Sequence, residues 1–139
     1  MGGLAYTTTH SQYGLEIDEY AVHTEGTLAG KTTYRLYVTL ENAEDAATSF
    51  TGNDEFALSL NTTTTFYQEP IFGGVIPSNS SAMALKLLPD LEFDSWVTVG
   101  IDGPASFGES DASLLPGDWV NTFEDGNSFL INDGVGSCL

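Results

Sequence analysis

YRLYVTL, residues 34–40, decides the fold class because its residues alternate in character with a period of two. In an extended chain the apolar members of this stretch share one face: Tyr34, Leu36, Val38 and Leu40. The residues between them point to the opposite face. This alternation predicts a half-buried β-strand.

Other runs of the same kind lie along the chain, and most are rich in β-branched and aromatic residues. They lie at residues 15–22, 56–61, 64–67, 82–87, 96–101 and 128–131. Gly, Pro, Asn and Asp separate them in turn sequences such as EGTLAGK, DGPASFGES and NDG. Many short strands joined by such turns predict an all-β fold, either a two-sheet antiparallel sandwich or a jelly roll.

One segment, SSAMALKLLPDL, competes with this strand pattern because its Ala, Met, Leu and Lys residues favour a helix. Pro89 would limit such a helix to about two turns, so a strand and one short helix both remain open. We predict a single β-sandwich domain over residues 15–139. Residues 1–14, polar and rich in threonine, are expected to form a flexible lead or an edge strand.

The charge balance restricts the partners of the chain, because 20 acidic residues face three basic ones and the formal net charge is −17. A field of this sign repels phosphate, so nucleic acid is not expected as a partner. No stretch has the ~18 continuous apolar residues of a membrane span, so membrane insertion is not expected either. The acidic residues either solvate the surface or bind cations, and the sequence leaves both alternatives open.

Calcium is the cation that these residues suit best, because it prefers six to eight oxygen ligands from carboxylates, amides and carbonyls. Four polar loops and one further acid, Asp94, offer such oxygens without the spacing of an EF-hand. The candidate ligands are Asn53, Asp54, Asp94, Asp102, Glu109, Asp111, Glu124, Asp125, Asn127 and Asp133. On an extended strand Asp94 and Asp102 would lie roughly 25 Å apart at ~3.3 Å per residue, so each would serve its own end of the sandwich.

Trp96 and Trp119 are candidate stacking platforms for sugar rings, as exposed aromatic residues are in carbohydrate-binding modules. The competing interpretation places both in the core. Alternation within FDSWVTVGID puts Trp96 on the face opposite Val97, Val99 and Ile101, which favours exposure of its ring. We expect Trp96 to lie in an inner strand over residues 96–101.

Signals of catalysis are few. His10 and His23 belong to no nucleophile or metal motif, and pairs of acids are expected by chance in so acidic a chain. The one cysteine, Cys138, has no basic neighbour in NDGVGSCL that would lower its pKa, and a place in a terminal strand or tail is expected for it. The sequence therefore favours a protein without catalytic activity.

The order of the motifs resembles a module found in large secreted proteins of marine bacteria and microalgae. The resemblance rests on TTYRLYVTL, the turn TGND, the run TTTTFYQ and above all PDLEFDSWVTVG, and it covers about Tyr20 to Gly136. It implies a β-rich, extracellular and often repeated building block, but assigns no functional residue. Members of the family carry an aromatic GG-containing motif near the end, where this chain has Gly136-Ser137-Cys138-Leu139. This departure suggests a truncated chain, or one that takes a strand from a neighbour.

Together these features predict a non-catalytic structural or adhesive module that is stabilised by calcium and assembles with itself. A carbohydrate-binding module that uses Trp96 or Trp119 is the alternative, and a glycan-active enzyme is the third interpretation. MGGLAYTTTH lacks the charged and apolar regions of a signal peptide. Either the chain is cytoplasmic or it is a mature segment of a protein that works outside the cell or at its surface, and we expect the second.

Overall fold

The computed structural model describes residues 13–77, 80–115 and 117–138. In that part of the chain more residues lie in strands than in helices, and every strand pairing is antiparallel. The prediction of a β-rich fold is therefore confirmed. The chain divides into two compact units, Met1–Ala46 and Ala47–Leu139. The single domain predicted over residues 15–139 stays a prediction, because compact units of one chain can belong to one domain.

The first unit contains a β-hairpin formed by β1 (Gly14–Val22) and β2 (Thr32–Thr39). Leu15 lies opposite Val38, and the register shifts between Glu19 and Ala21. The EGTLAGK sequence forms the connection, in which Gly26 and Gly30 adopt φ of 73° and 83°. Glycine is suited to both positions because other residues reach these left-handed angles only with strain.

The strand predicted from YRLYVTL is confirmed as β2, but its apolar face is exposed to solvent and is not part of a core. Tyr34, Leu36 and Val38 are 59%, 49% and 56% exposed. Alternation shows which residues share a face, whereas burial requires a second layer over that face. A sheet of two strands supplies no such layer by itself.

The second unit contains two small sheets. β3 (Ser49–Thr51), β7 (Gly136–Cys138) and β5 (Ser113–Leu114) form one, with β7 in the middle. β4 (Leu58–Leu60) and β6 (Phe129–Ile131) form the other, with Ser59 opposite Leu130. Phe129 and Ile131 are buried while Leu130 is exposed, as the period of two predicts. Cys138 lies in a terminal strand, as expected from the sequence.

The core of the second unit is formed by side chains from the two sheets and from α2 (Asp118–Glu124). Trp119 and Phe123 are four residues apart on α2 and therefore share one of its faces. Both rings contact Phe129, with centroid distances of 5.3 Å in each case. The sequence reading missed this helix, because the Trp, Val, Thr and Phe of DWVNTFE also favour strands. The spacing of Trp119 and Phe123 was the signal that identifies it.

The segment SSAMALKLLPDL is helical rather than extended. α1 (Ala82–Leu87) begins after Ser81, whose hydroxyl accepts a hydrogen bond from the Ala84 N–H at 3.2 Å. A 3-10 helix (Pro89–Phe93) follows directly and begins at the proline. Proline fits a first helical position because it lacks the N–H that would have no partner there. The strand predicted at residues 82–87 is thus wrong, and the short helix left open is confirmed.

The inner strand predicted at residues 96–101 is also wrong. Two isolated backbone hydrogen bonds take the place of a ladder, from Ser95 N–H to the Tyr67 carbonyl at 3.0 Å and from Val97 N–H to the Val75 carbonyl at 2.7 Å. Beyond them the chain turns at Gly100, which has φ of 76°. A turn ends the extended geometry that a ladder would need. No strand forms at residues 64–67 either.

Candidate functional site

The second unit contains a pair of buried carboxylates, Glu69 and Asp94, which we call the carboxylate clamp. Each residue is only 7% exposed. Glu69 opens a tight turn over residues 69–74, and Asp94 follows the 3-10 helix. The 3-10 helix therefore brings an acid 25 positions along the chain back to the turn.

Backbone N–H groups surround both carboxylates. Asp94 Oδ1 accepts from the Glu69 N–H at 2.7 Å, and Oδ2 accepts from the Gly74 N–H at 2.9 Å. Glu69 Oε2 accepts from Ile71 and Phe72 at 2.9 and 2.7 Å. Hydrogen bonds to a charged acceptor are stronger than neutral ones. The clamp therefore fixes the turn and ties it to the segment after the 3-10 helix.

Burial dominates the electrostatics of the clamp. It raises the pKa of Asp94, and the nearby Glu69 charge acts in the same direction, while the N–H groups of Glu69, Gly74 and Ser95 oppose the shift. Burial also raises the pKa of Tyr67, to which the charges of Asp90, Glu69 and Asp94 add. The site is thus electronegative, as expected where acids lie close together.

The clamp is also sterically closed at Gly73. A Cβ atom at this position would overlap the Glu69 carbonyl oxygen and would lie 2.9 Å from Asp94 Oδ1. Both Asp94 oxygens already accept backbone N–H groups. This arrangement suits a structural role. The sequence reading singled out Asp94 but missed Glu69, for which the EPIFGG turn sequence was the available signal.

The other predicted calcium ligands belong to four turns or loops, at residues 53–54, 102–111, 124–127 and 133. Glu109 and Asp111 belong to one loop, where they accept the N–H groups of Ser106 and Ala105 at 2.8 and 3.3 Å. Asn53 Oδ1 accepts two N–H groups of the turn that follows it. The remaining candidates are exposed: Asp54, Asp102, Glu124, Asp125, Asn127 and Asp133. Within residues 13–77, 80–115 and 117–138, no three His, Cys, Asp or Glu residues are arranged to hold a metal ion. Calcium binding stays a prediction.

The two tryptophans differ in exposure. Trp119 is 3% exposed, its indole N–H donates to the Leu115 carbonyl at 3.3 Å, and its ring packs on Phe50 and Phe129. A stacking platform needs an open ring face, so the position of Trp119 is that of a core residue. Trp96 is partly buried. Of the two rings, only that of Trp96 retains surface for a ligand.

An open depression lies beside α2 and is lined by Leu114, Gly117, Asp118, Val120 and Asn121. Asp118 is the single carboxylate in this lining. Hydrolysis of a glycosidic bond ordinarily uses two acids that flank the bond. The depression therefore offers no pair for that reaction.

The first unit presents a different kind of surface, an exposed apolar sheet face. We call it the hairpin face: Leu15, Ile17, Tyr34, Leu36 and Val38. Leu15 is 72% and Ile17 is 69% exposed. The opposite side of the hairpin is polar, and there the Arg35 guanidinium lies 3.8 Å from the centroid of the Tyr20 ring. Exposed apolar patches that are rimmed by polar residues are typical of contact surfaces.

Comparison with known protein families, with curated proteins and with solved structures gives no match. The resemblance to the marine secreted module therefore stays a prediction from its motifs. Within the described residues, no helix has the length and apolar character needed to cross a membrane.

Proposed function

We propose that this protein is a non-catalytic structural or adhesive module that acts through contact at its hairpin face. The observation that carries the proposal is the exposure of five large apolar side chains on one side of a two-stranded sheet. Full burial of a Val, Leu or Ile side chain contributes about 1.5–3 kcal/mol. Leu15 and Ile17 are still mostly exposed, so most of this free energy would be gained when a partner or an apolar surface covers them.

The polar groups support a structural rather than a catalytic role. The buried acids Glu69 and Asp94 accept backbone N–H groups of the turn that they hold, as carboxylates with a structural role do. The depression beside α2 has one acid in its lining. Calcium stabilisation and a place outside the cell remain part of the proposal, supported by the net charge of −17 and by the sequence resemblance.

We further propose that the second unit is a small β-sandwich. Both of its sheets contribute side chains to a single apolar cluster: Phe50 and Leu114 come from one sheet, and Leu58, Phe129 and Ile131 from the other. A shared apolar core between two antiparallel sheets is the arrangement expected of a sandwich. α2 covers part of that cluster with Trp119 and Phe123.

Adsorption to an alkyl-coated sensor, measured with a quartz crystal microbalance, tests the contact proposal. We expect Leu36→Lys to reduce adsorption strongly, because it places a charge in the hairpin face. Tyr37→Lys is the matched control: it adds the same charge one residue away, on the opposite side, where Glu16 lies across from it. Equal adsorption by the two variants would contradict the proposal.

A further inference from the structure

The two edges of the hairpin differ in how well they are protected against pairing with another strand. β1 carries Glu16, Asp18 and Glu19 within nine residues, and its register with β2 is irregular beyond Glu19. Charges and bulges are the devices by which proteins keep a sheet edge from accepting a further strand. β2, TTYRLYVT, has no acid, and its pairing is regular from Thr39 to Tyr34. β2 is therefore the unprotected edge.

We propose that β2 pairs with β2 of a second copy of this chain, side by side and antiparallel. The proposal deepens the proposed function, on which it rests, by naming the partner and the edge it uses. The structure places only β1 beside β2 among the residues that it describes. The product would be a continuous sheet of four strands, in the order β1, β2, β2 and β1.

Charge selects this pairing over the alternatives. Two β1 edges would bring six carboxylates together, and like charges across a strand pair are unfavourable. β1 of a second copy on β2 would use the irregular edge. Two β2 edges bring together no acid at all, although each chain carries a net charge of −17. The second copy thus offers a strand without acids and with regular geometry.

Symmetry and charge also select a register. A two-fold axis perpendicular to the sheet keeps the hairpin faces of both copies on the same side and pairs residues symmetrically. Centring the axis on Arg35 would place two guanidinium groups opposite each other. Centring it on Leu36 instead places Leu36 opposite Leu36 and Arg35 opposite Tyr37 of the second copy. This register keeps almost the full length of β2 paired.

Pairing would also strengthen the hairpin. A two-stranded sheet is only marginally stable alone, whereas three or more strands with an apolar face are stable. The two hairpin faces would join into one apolar surface, which increases the area available for the contact proposed above. Because each copy is strongly acidic, added salt should favour association by screening the repulsion between copies.

Cysteine cross-linking tests the proposed geometry in the full chain with the native thiol removed by Cys138→Ser. Leu36→Cys should give a covalent dimer with a short bis-maleimide, because the two thiols lie on neighbouring strands. Ile17→Cys is the matched control, since Ile17 lies directly opposite Leu36 on the outer strand. Its two copies would be about 14 Å apart, three strand spacings of ~4.8 Å, beyond the reach of the reagent. Equal cross-linking of both variants, or of neither, would overturn the proposal.

Sedimentation velocity over a range of concentration and salt provides the second readout. We expect the wild-type mass to double with rising concentration and Leu36→Lys to stay monomeric. Phe107→Lys adds the same charge at an exposed position of the second unit and should dimerise like the wild type. A monomer at every concentration overturns the inference. This holds both when the β2 amides exchange freely with solvent and when residues 1–12 or another protein cover them. Adsorption of such a monomer through the hairpin face would still support the proposed function, so the two failures are distinguishable.

Discussion

Removal of the Asp94 carboxylate tests whether the carboxylate clamp holds the second unit together. Asp94→Ala leaves the N–H groups of Glu69 and Gly74 without their acceptors. A buried donor without a partner costs about 1–3 kcal/mol. The Glu69 N–H is buried and the Gly74 N–H is partly buried. The variant also no longer buries a carboxylate charge, and this gain offsets part of the loss. We therefore expect a net loss of about 2–4 kcal/mol in the free energy of unfolding.

Urea unfolding followed by tryptophan fluorescence measures this loss, because Trp96 and Trp119 both lie in the second unit. Asp54→Ala is the control: it removes the same charge from an exposed position and so corrects for the net charge of the chain. If Asp94→Ala and Asp54→Ala differ by less than about 0.5 kcal/mol, the size of an ordinary surface effect, the clamp is not structural.

The pH dependence of the same comparison gives a second check. Burial raises the pKa of Asp94, so the folded state holds its proton to higher pH than the unfolded state does. Its contribution to stability is then fully present below the ordinary pKa of 3.8 and is lost as pH rises through the folded pKa. The difference between wild type and Asp94→Ala should be larger in acid than at neutral pH. A difference that grows toward neutral pH would refute this reasoning.

Three further predictions concern the turn, the hairpin and the ions. Gly73→Ala should destabilise the protein by at least about 2 kcal/mol, because its Cβ overlaps backbone atoms; Gly103→Ala, with open space around its Cβ, should change urea unfolding little. Hydrogen bonds, first from the Asn42 side chain, lower the pKa of Asp45, so its stabilising effect is present above 3.8 and is lost as pH falls through the folded pKa. Asn42→Ala should raise the Asp45 pKa measured by NMR titration, and an unchanged value would contradict the assignment. Calcium should raise the melting temperature saturably, because binding at a hundredfold excess over Kd adds ~2.7 kcal/mol to the free energy of unfolding; an equal rise with magnesium at matched ionic strength would indicate screening.

The sequence predicted the local elements best where alternation is long. The strand at residues 34–40 was recognisable because a period of two is visible over the whole stretch, whereas that at residues 128–131 was recognisable as a short apolar run between turn sequences. Residues 96–101 show the same pattern but form no strand, since the chain turns at Gly100 and no neighbouring strand continues the ladder. Pairing partners are distant in sequence, and a single sequence does not reveal them.

The site was less predictable than the fold, because it depends on residues that meet only in space. Asp94 was a candidate as an acid next to a strand, yet its partners are the backbone N–H groups of Glu69 and Gly74. No pattern of side chains in the sequence predicts which backbone N–H groups an acid will bind. Exposure of the hairpin face could not be predicted either, because the sequence of an apolar strand face has the same pattern whether or not a second layer covers that face.

Amide hydrogen exchange, read residue by residue at low and high protein concentration, shows whether the β2 edge is a contact site. We expect a higher protein concentration to slow exchange of the outward amides of Thr32–Thr39 and to leave the outer edge of β1 unchanged. Equal exchange of the β2 amides at all concentrations, or slowing at β1 instead, would contradict it.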